Sequence, residues 1–283
     1  MNEIILSNGS HMPRLGQGTW FMGEDRSLER QEIESIQTGI EHGMKLIDTA
    51  EMYGEGKAEC LVGKAIRKYD RSNLFLVSKV YPHNAGRTHI FQSCENSLKR
   101  LNTDYLDLYL LHWRGSIRLA ETVECMEELV ANKKIKQWGV SNFDIDDMEE
   151  LWSVPNGNHC VVNQVLYHLG SRGIEYALLP WLKEHHVPVM AYSPMAQGGT
   201  LKKQLLANSL VLELAKQHQT SPMQILLSFV LHQEGIIAIP KSSNPKHTIE
   251  NAKVADLILT PEERKLLDDQ FPAPKHKTYL DMI

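Results

Sequence analysis

The stretch Leu74-Phe75-Leu76-Val77-Ser78-Lys79-Val80 stays apolar on both parities almost to its end. A strand with one wet face alternates polar and apolar residues; a strand covered on both faces does not. Runs of the same kind recur at Leu46-Ile47-Asp48-Thr49-Ala50 and at 106–113, 135–142, 161–167, 187–194 and 235–242. Between them lie helix patterns. Ile33, Ile36 and Ile40 repeat at helical spacing ahead of Gly43, a natural helix end, and Phe91, Cys94, Leu98 and Leu101 do the same. Thr260-Pro261-Glu262-Glu263 supplies an N-cap, a first-turn proline and a capping-box glutamate. With 15–20 as the first strand, eight strand–helix units result, which predicts an α/β fold of the (β/α)8 TIM-barrel type. Asn8-Gly9, within Ile4-Ile5-Leu6-Ser7-Asn8-Gly9-Ser10, predicts an N-terminal β-hairpin that could cap the bottom of the barrel.

The rival architecture is an open doubly wound sheet, which wants a glycine-rich phosphate turn after its first strand. Gly16-Gln17-Gly18-Thr19-Trp20-Phe21 begins like one, but Phe21 replaces the third glycine. Gly54-Glu55-Gly56-Lys57-Ala58 lacks the Ser or Thr that follows a P-loop lysine. No linker, low-complexity tract or internal repeat interrupts the chain, so 1–283 reads as a single domain.

A length of 283 residues is ordinary for one barrel, and 42% hydrophobic with 23% charged residues is a plain globular balance. The 30 basic and 35 acidic residues give a net charge of −5 without a basic stripe, which argues against nucleic acid as a partner. No apolar run approaches the roughly 18 residues of a membrane span. Met1-Asn2-Glu3-Ile4-Ile5-Leu6 lacks a positive region and a long apolar core, so no leader peptide is expected and the location reads as cytoplasmic. Cys60, Cys94, Cys125 and Cys160 are scattered and form no C-x-x-C pair, which argues against a zinc ribbon or redox motif. They read as reduced thiols, mostly core filler. A monomer is the default expectation.

In a barrel of this kind, chemistry sits where strands end and the next loops begin. Asp48 ends the second strand, Tyr53 follows in its loop, Lys79 ends the third strand and His112 the fourth. Singly, each is ordinary: a strand-end Lys or Asp commonly just meets solvent, and a lone His is commonly structural. Together they form one chemical device. Tyrosine, with a reference pKa near ~10, is a poor acid at neutral pH, and a nearby ammonium favours the phenolate and lowers that value. Asp48 can hold Lys79 charged, and His112 can donate a hydrogen bond to a carbonyl oxygen. The reactant still missing for carbonyl reduction is a hydride, which a nicotinamide supplies and side chains cannot. The alternative, a metal site, calls for converging ligands such as His-x-His after the first strand. His112 is followed instead by Trp113-Arg114, and His185-His186 lies on a helix pattern at the surface, so no metal is expected.

The last run, Ile236-Ile237-Ala238-Ile239-Pro240-Lys241-Ser242, leads into Asn244-Pro245, an N-cap and a first-turn proline. A helix N-terminus placed there suits phosphate, although a capped helix with a solvated lysine reads equally well. Ser141, Asn142 and Gln164, near the ends of the fifth and sixth runs, could bind a carboxamide such as that of nicotinamide, or serve as core hydrogen-bonding residues. Tyr192, in Tyr192-Ser193-Pro194, could stack on a flat ring.

In order along the chain, several motifs resemble those of the aldo-keto reductase family. They are Gly18-Thr19-Trp20, Asp48-Thr49-Ala50-Glu51-Met52-Tyr53-Gly54, Ser78-Lys79-Val80, Leu110-Leu111-His112-Trp113, Gly139-Val140-Ser141-Asn142-Phe143, Asn163-Gln164, Tyr192-Ser193-Pro194 and Ile239-Pro240-Lys241-Ser242. The likeness runs from about Leu6 to about Pro274 and is greatest to the short bacterial members that reduce methylglyoxal and other small aldehydes. It implies a small-molecule carbonyl substrate, NADPH laid across the barrel mouth, and Tyr53 as proton donor, tuned by Asp48 and Lys79. His112 would orient the substrate, and Trp20 and Trp113 would line its pocket. Ser141, Asn142 and Gln164 would hold the carboxamide, and Tyr192 would stack on the nicotinamide. Thr19, Trp20, Asp48, Ser193 and Pro194 would border the same trough. Lys241 and Ser242 would meet the adenosine 2′-phosphate, near His247, Glu250 and Asn251.

Two departures qualify the resemblance. Many family members carry an arginine where His247 stands, and an imidazole lacks the guanidinium fork. NADPH preference is therefore expected to persist but weaken, with NADH a poorer alternative. The short segment after His112 and the few residues after Pro274 predict an open pocket with broad, modest specificity. The competing functions are an NADPH-binding regulatory subunit or sensor with slow turnover, and a metal-dependent barrel hydrolase.

Overall fold

The computed structural model describes residues 3–283; Met1 and Asn2, where the leader-peptide reading begins, lie outside them. The Asn8-Gly9 turn joins β1 (Glu3–Ile5) to β2 (His11–Pro13), an antiparallel pair in which Ile4 stands opposite Met12. Eight parallel strands follow among the described residues, in sequence order. They are β3 (Gly16–Gly18), β4 (Leu46–Asp48), β5 (Phe75–Val80), β6 (Leu108–Leu111), β7 (Trp138–Ser141), β8 (Asn163–Leu166), β9 (Val189–Tyr192) and β10 (Ile236–Ile239). Parallel bridges from Leu15 to Ala238 and from Gly18 to Lys241 close β10 onto β3, so the sheet is a barrel. The crossovers carry the helices that clothe it. Those nearest the site are α1 (Glu29–Glu41), α2 (Lys57–Ile66) and α3 (Ile90–Leu101).

Why the strand sequences look apolar throughout is visible in where adjacent residues go. Side chains alternate between the two faces of a strand. On β5, Leu76 and Val80 join the core between sheet and helices, while Val77 joins a second core inside the barrel. Leu108 and Leu110 of β6 likewise point inward, and Tyr109 and Leu111 outward. Both faces are dry, and each buried Leu or Ile contributes roughly 1.5–3 kcal/mol. Leu6 and Met12 of the hairpin segment belong to the inner core, so the hairpin plugs one end of the barrel. It is tied there by Asn8 Nδ2 and Ser10 Oγ, which donate to Gln137 Oε1 at 2.7 and 2.8 Å.

Helix ends follow the capping signals. Gly43 takes φ +89° just beyond α1, and Asn102 takes φ +53° just beyond α3. Thr260 and Glu263 form the expected reciprocal capping box. The regular strands are shorter than the apolar runs, most of which lose residues at both ends to the flanking loops. His185 and His186 fall just past a helix ending at Glu184, and the His185 ring stacks on Trp181 at 3.7 Å. Among the described residues, no helix is long and apolar enough to cross a membrane.

Candidate active site

On six of these eight strands the inward parity continues past an apolar residue of the inner core into a polar one. Two positions beyond Leu46 comes Asp48, beyond Val77 Lys79, beyond Leu110 His112, beyond Val162 Gln164, beyond Met190 Tyr192 and beyond Ile239 Lys241. The barrel's interior is therefore apolar below and polar at the C-terminal rim, where a cavity opens. Gly18, Thr19, Trp20, Asp48, Tyr53, His112, Ser141, Asn142, Gln164, Tyr192, Ser193 and Lys241 line it.

Lys79 is the centre of this layer. Its ammonium is fully buried and uses all three protons, on Asp48 Oδ2 at 2.8 Å, Thr49 O at 2.9 Å and Tyr53 Oη at 3.0 Å. The other Asp48 oxygen accepts from Gln164 Nε2 at 2.8 Å. Burial pulls the Lys79 amine down, but Asp48 and Tyr53 outweigh it and hold it above its usual value, so it stays a cation. Burial pushes the Asp48 carboxyl up, opposed by Lys79 and Gln164. The His112 ring meets the Tyr53 ring edge-on at 5.8 Å. Its Nδ1 has no hydrogen-bond partner among the described residues, and burial, reinforced by Lys79, takes the imidazole down to about 2. It is a neutral ring with an unused polar edge.

On the other side of the cavity, Ser141 Oγ donates to Gln164 O at 2.9 Å. Asn142 sits at φ +57°, a left-handed conformation that asparagine tolerates, and its Nδ2 donates to His112 O at 3.1 Å. Tyr192 Oη donates to Asn142 Oδ1 at 2.9 Å. A buried phenol, a fixed cation, a neutral imidazole and the polar groups of Ser141, Asn142 and Gln164 thus share one pocket.

A model of the aldo/keto reductase family matches residues 14–270. The chain belongs to the aldo/keto reductase family. It is 54% identical over 280 residues to methylglyoxal reductase YeaE of Escherichia coli (strain K12), covering 99% of this chain and 98% of that protein. It is 36% identical to glyoxal reductase of Bacillus subtilis (strain 168), covering 94% and 92%. Among solved structures it superimposes with a TM-score of 0.96 on an aldo/keto reductase from Klebsiella pneumoniae in complex with NADP and acetate. That protein is 49% identical, with 100% of this chain and 99% of the other covered. A second Klebsiella pneumoniae aldo-keto reductase structure, in complex with NADPH, is 50% identical with a TM-score of 0.96.

Not every expected residue of this aldo/keto reductase meets the cavity. Trp113 stands behind it, 4.9 Å from the His112 ring and 5.9 Å from that of Tyr81. Pro194 is buried beside Ser193 without lining the cavity. Thr19 does line it, fully buried, and donates to Asp48 O at 2.9 Å. His247 and Glu250 pair with each other at 3.0 Å on the exposed face of α4 (Pro245–Ala252), while Asn251 is buried within that helix. The loop leading into α4 is held from α1: Gln31 Nε2 donates to Ser243 O at 2.7 Å and Ser35 Oγ to Ser242 O at 2.8 Å.

Two expectations need correction. Lys79 pulls the Tyr53 phenol down, as anticipated, but burial is the larger influence and Asp48 adds to it, so Tyr53 is raised above its usual value. The group is held as a protonated acid. The few residues beyond Pro274 also do not end clear of the mouth. Lys277 pairs with Asp146 at 3.2 Å, Asp281 accepts from Ser171 Oγ at 2.5 Å, Leu280 packs on the outer core, and Ile283 lines the cavity. Ile283 lies in no sequence motif, and only the path of the chain brings it to the cavity.

Proposed function

We propose that this chain reduces small aldehydes and ketoaldehydes, methylglyoxal among them, to alcohols with NADPH, and that Tyr53 gives the carbonyl oxygen its proton. The observation that carries this reading is the buried Lys79 ammonium bonded at once to Asp48 and Tyr53. The likeness to methylglyoxal and glyoxal reductases supports the substrate class.

The site's donor set fits a nicotinamide. Gln164 uses its amide N–H on Asp48 and keeps a carbonyl oxygen for a carboxamide N–H; Ser141 and Asn142 edge the same side of the cavity, their protons on Gln164 O, His112 O and Ser141 Oγ, and would redirect one of them to a carboxamide oxygen. Tyr192 presents a flat face, and Lys241 with Ser242 leads into a helix N-terminus suited to phosphate. When bound, NADPH supplies a hydride to the carbonyl carbon. The side chains manage the oxygen. Neutral His112 positions it by hydrogen bonding, and Tyr53 donates a proton to it as negative charge develops. Lys79 stabilises the phenolate left behind, and Asp48 keeps Lys79 charged and aimed. Trp20 and Met52 wall the substrate side.

The regulatory alternative finds no support, because the groups needed for turnover stand assembled. We also read 1–283 as one barrel domain acting as a cytoplasmic monomer. The extent of the family match supports the first part. The deciding assay follows NADPH absorbance with methylglyoxal and an aldehyde panel. Tyr53→Phe should lose about 10²- to 10⁴-fold in turnover. Undiminished turnover in Tyr53→Phe would refute the assignment, and inhibition by a strong chelator would favour the hydrolase reading.

A further inference from the structure

Tyr53 is not on a strand, so the barrel does not by itself fix it. It begins a short helical turn, Tyr53–Gly56, in the loop between β4 and α2. The chain leaves Tyr53 through three successive left-handed residues, Gly54 at φ +55°, Glu55 at φ +55° and Gly56 at φ +86°. A glutamate in that conformation persists only where surrounding structure enforces it.

The enforcement comes from behind the barrel. Arg100 of α3 lies over Gly56, so closely that a Cβ there would fall 2.6 Å from its Cδ and Nε. Arg100 Nε donates to Glu59 Oε2 at 2.5 Å, and its Nη2 to Ser97 Oγ at 3.3 Å. Glu59 of α2 is fully buried, and its second oxygen accepts from Ser78 Oγ at 2.6 Å. Ser78 directly precedes Lys79, so strand parity turns it outward to the helices just as Lys79 turns inward to Tyr53. One buried carboxylate therefore ties the turn after Tyr53 to the strand that carries its cation.

We propose that Glu59 and Arg100 are positioning residues for the proton donor: they clamp the Tyr53 turn against β5 and so set the contact between Tyr53 and Lys79. The inference rests on the reading of Tyr53 as donor. A buried carboxylate with a single cationic partner is a weak source of stability. Its value here is geometric, since small misplacements of reacting groups cost rate steeply.

Glu59→Gln, Ser78→Ala, Arg100→Met and Arg100→Lys test it. The control is Asp107→Asn, which disturbs another buried carboxylate, held by Leu76 N at 2.9 Å, Arg71 at 2.7 Å and Lys136 at 2.8 Å at the opposite end of β5. Glu59→Gln and Arg100→Met should lower kcat about 10- to 100-fold and leave NADPH affinity, read by fluorescence, within about 2-fold, since no clamp residue lines the cavity. Asp48 of β4, Lys79 of β5, His112 just past β6 and Tyr192 of β9 face the Tyr53 phenol. Of these, Lys79 pulls it down, so a loosened clamp should move the alkaline limb of the rate profile to higher pH. Arg100→Lys should recover part of both effects, and Asp107→Asn should lose thermal stability without either. Should Glu59→Gln not fold, Ser78→Ala reads the same quantities. Unchanged kcat and pH limb in Glu59→Gln or Ser78→Ala, with only the stability loss of the control, would overturn the clamp. An active Tyr53→Phe overturns the donor assignment instead, so the two failures are distinct.

Discussion

Replacing Lys79 with methionine keeps most of the length of the side chain and removes its charge. The structure sets the size of the effect. Lys79 has no exposed surface, and its protons go to Asp48, Thr49 and Tyr53. The substitution strands the Asp48 carboxylate, itself 2% exposed, with Gln164 as its remaining side-chain donor. Breaking a buried pair on one side costs about 3–5 kcal/mol. At roughly 2–4 °C per kcal/mol, the melting temperature at pH 7 should fall by about 10 °C. The pH dependence has a definite sign. Burial already pushes Asp48 upward, and Lys79 is the main opposing influence. Without it, the folded-state carboxyl binds its proton more tightly than in the unfolded chain. Stability then falls as pH rises between the two values, because the folded state holds more protons. Lys79→Met should therefore be more destabilising at pH 8 than at pH 5, relative to the native chain. Lys79→Met/Asp48→Asn should recover about 2 kcal/mol, since no buried charge remains and Asn still accepts from Gln164. Thermal melts at the two pH values decide the matter. A loss below about 1 kcal/mol, or one equal at both pH values, would refute the buried-pair argument.

Two more outcomes follow from the site. His112 is held down to about 2, so kcat/KM should be flat between pH 5 and 8; a limb near the usual histidine range that disappears in His112→Gln would contradict its neutrality. His247→Arg adds one exposed guanidinium beside Glu250, so the NADPH-to-NADH ratio of kcat/KM should rise about 2- to 5-fold, the worth of an exposed ion pair. Kinetics with both cofactors measure it, and an unchanged ratio would remove His247 from the phosphate end.

The sequence by itself determined the barrel, its closing hairpin and most of the polar groups that line the cavity. Apolar runs such as Leu74 to Val80 encode strands buried on both faces, and that is a local property of composition and period. Asp48, Lys79 and His112 were legible for the same reason, since each ends such a run and strand parity sends it inward. Tertiary structure alone decided the rest. The protonation balance of Tyr53 depends on burial, which outweighs the adjacent ammonium and is not a property of any short segment. Ile283 reaches the cavity only because Ser171 and Asp146 catch the tail on its way back. Glu59, Arg100 and Ser78 come from three separate elements and look like ordinary helix and strand residues. Their meeting behind Tyr53 depends on how α2, α3 and β5 pack, and contacts of that range carry no signature in local sequence.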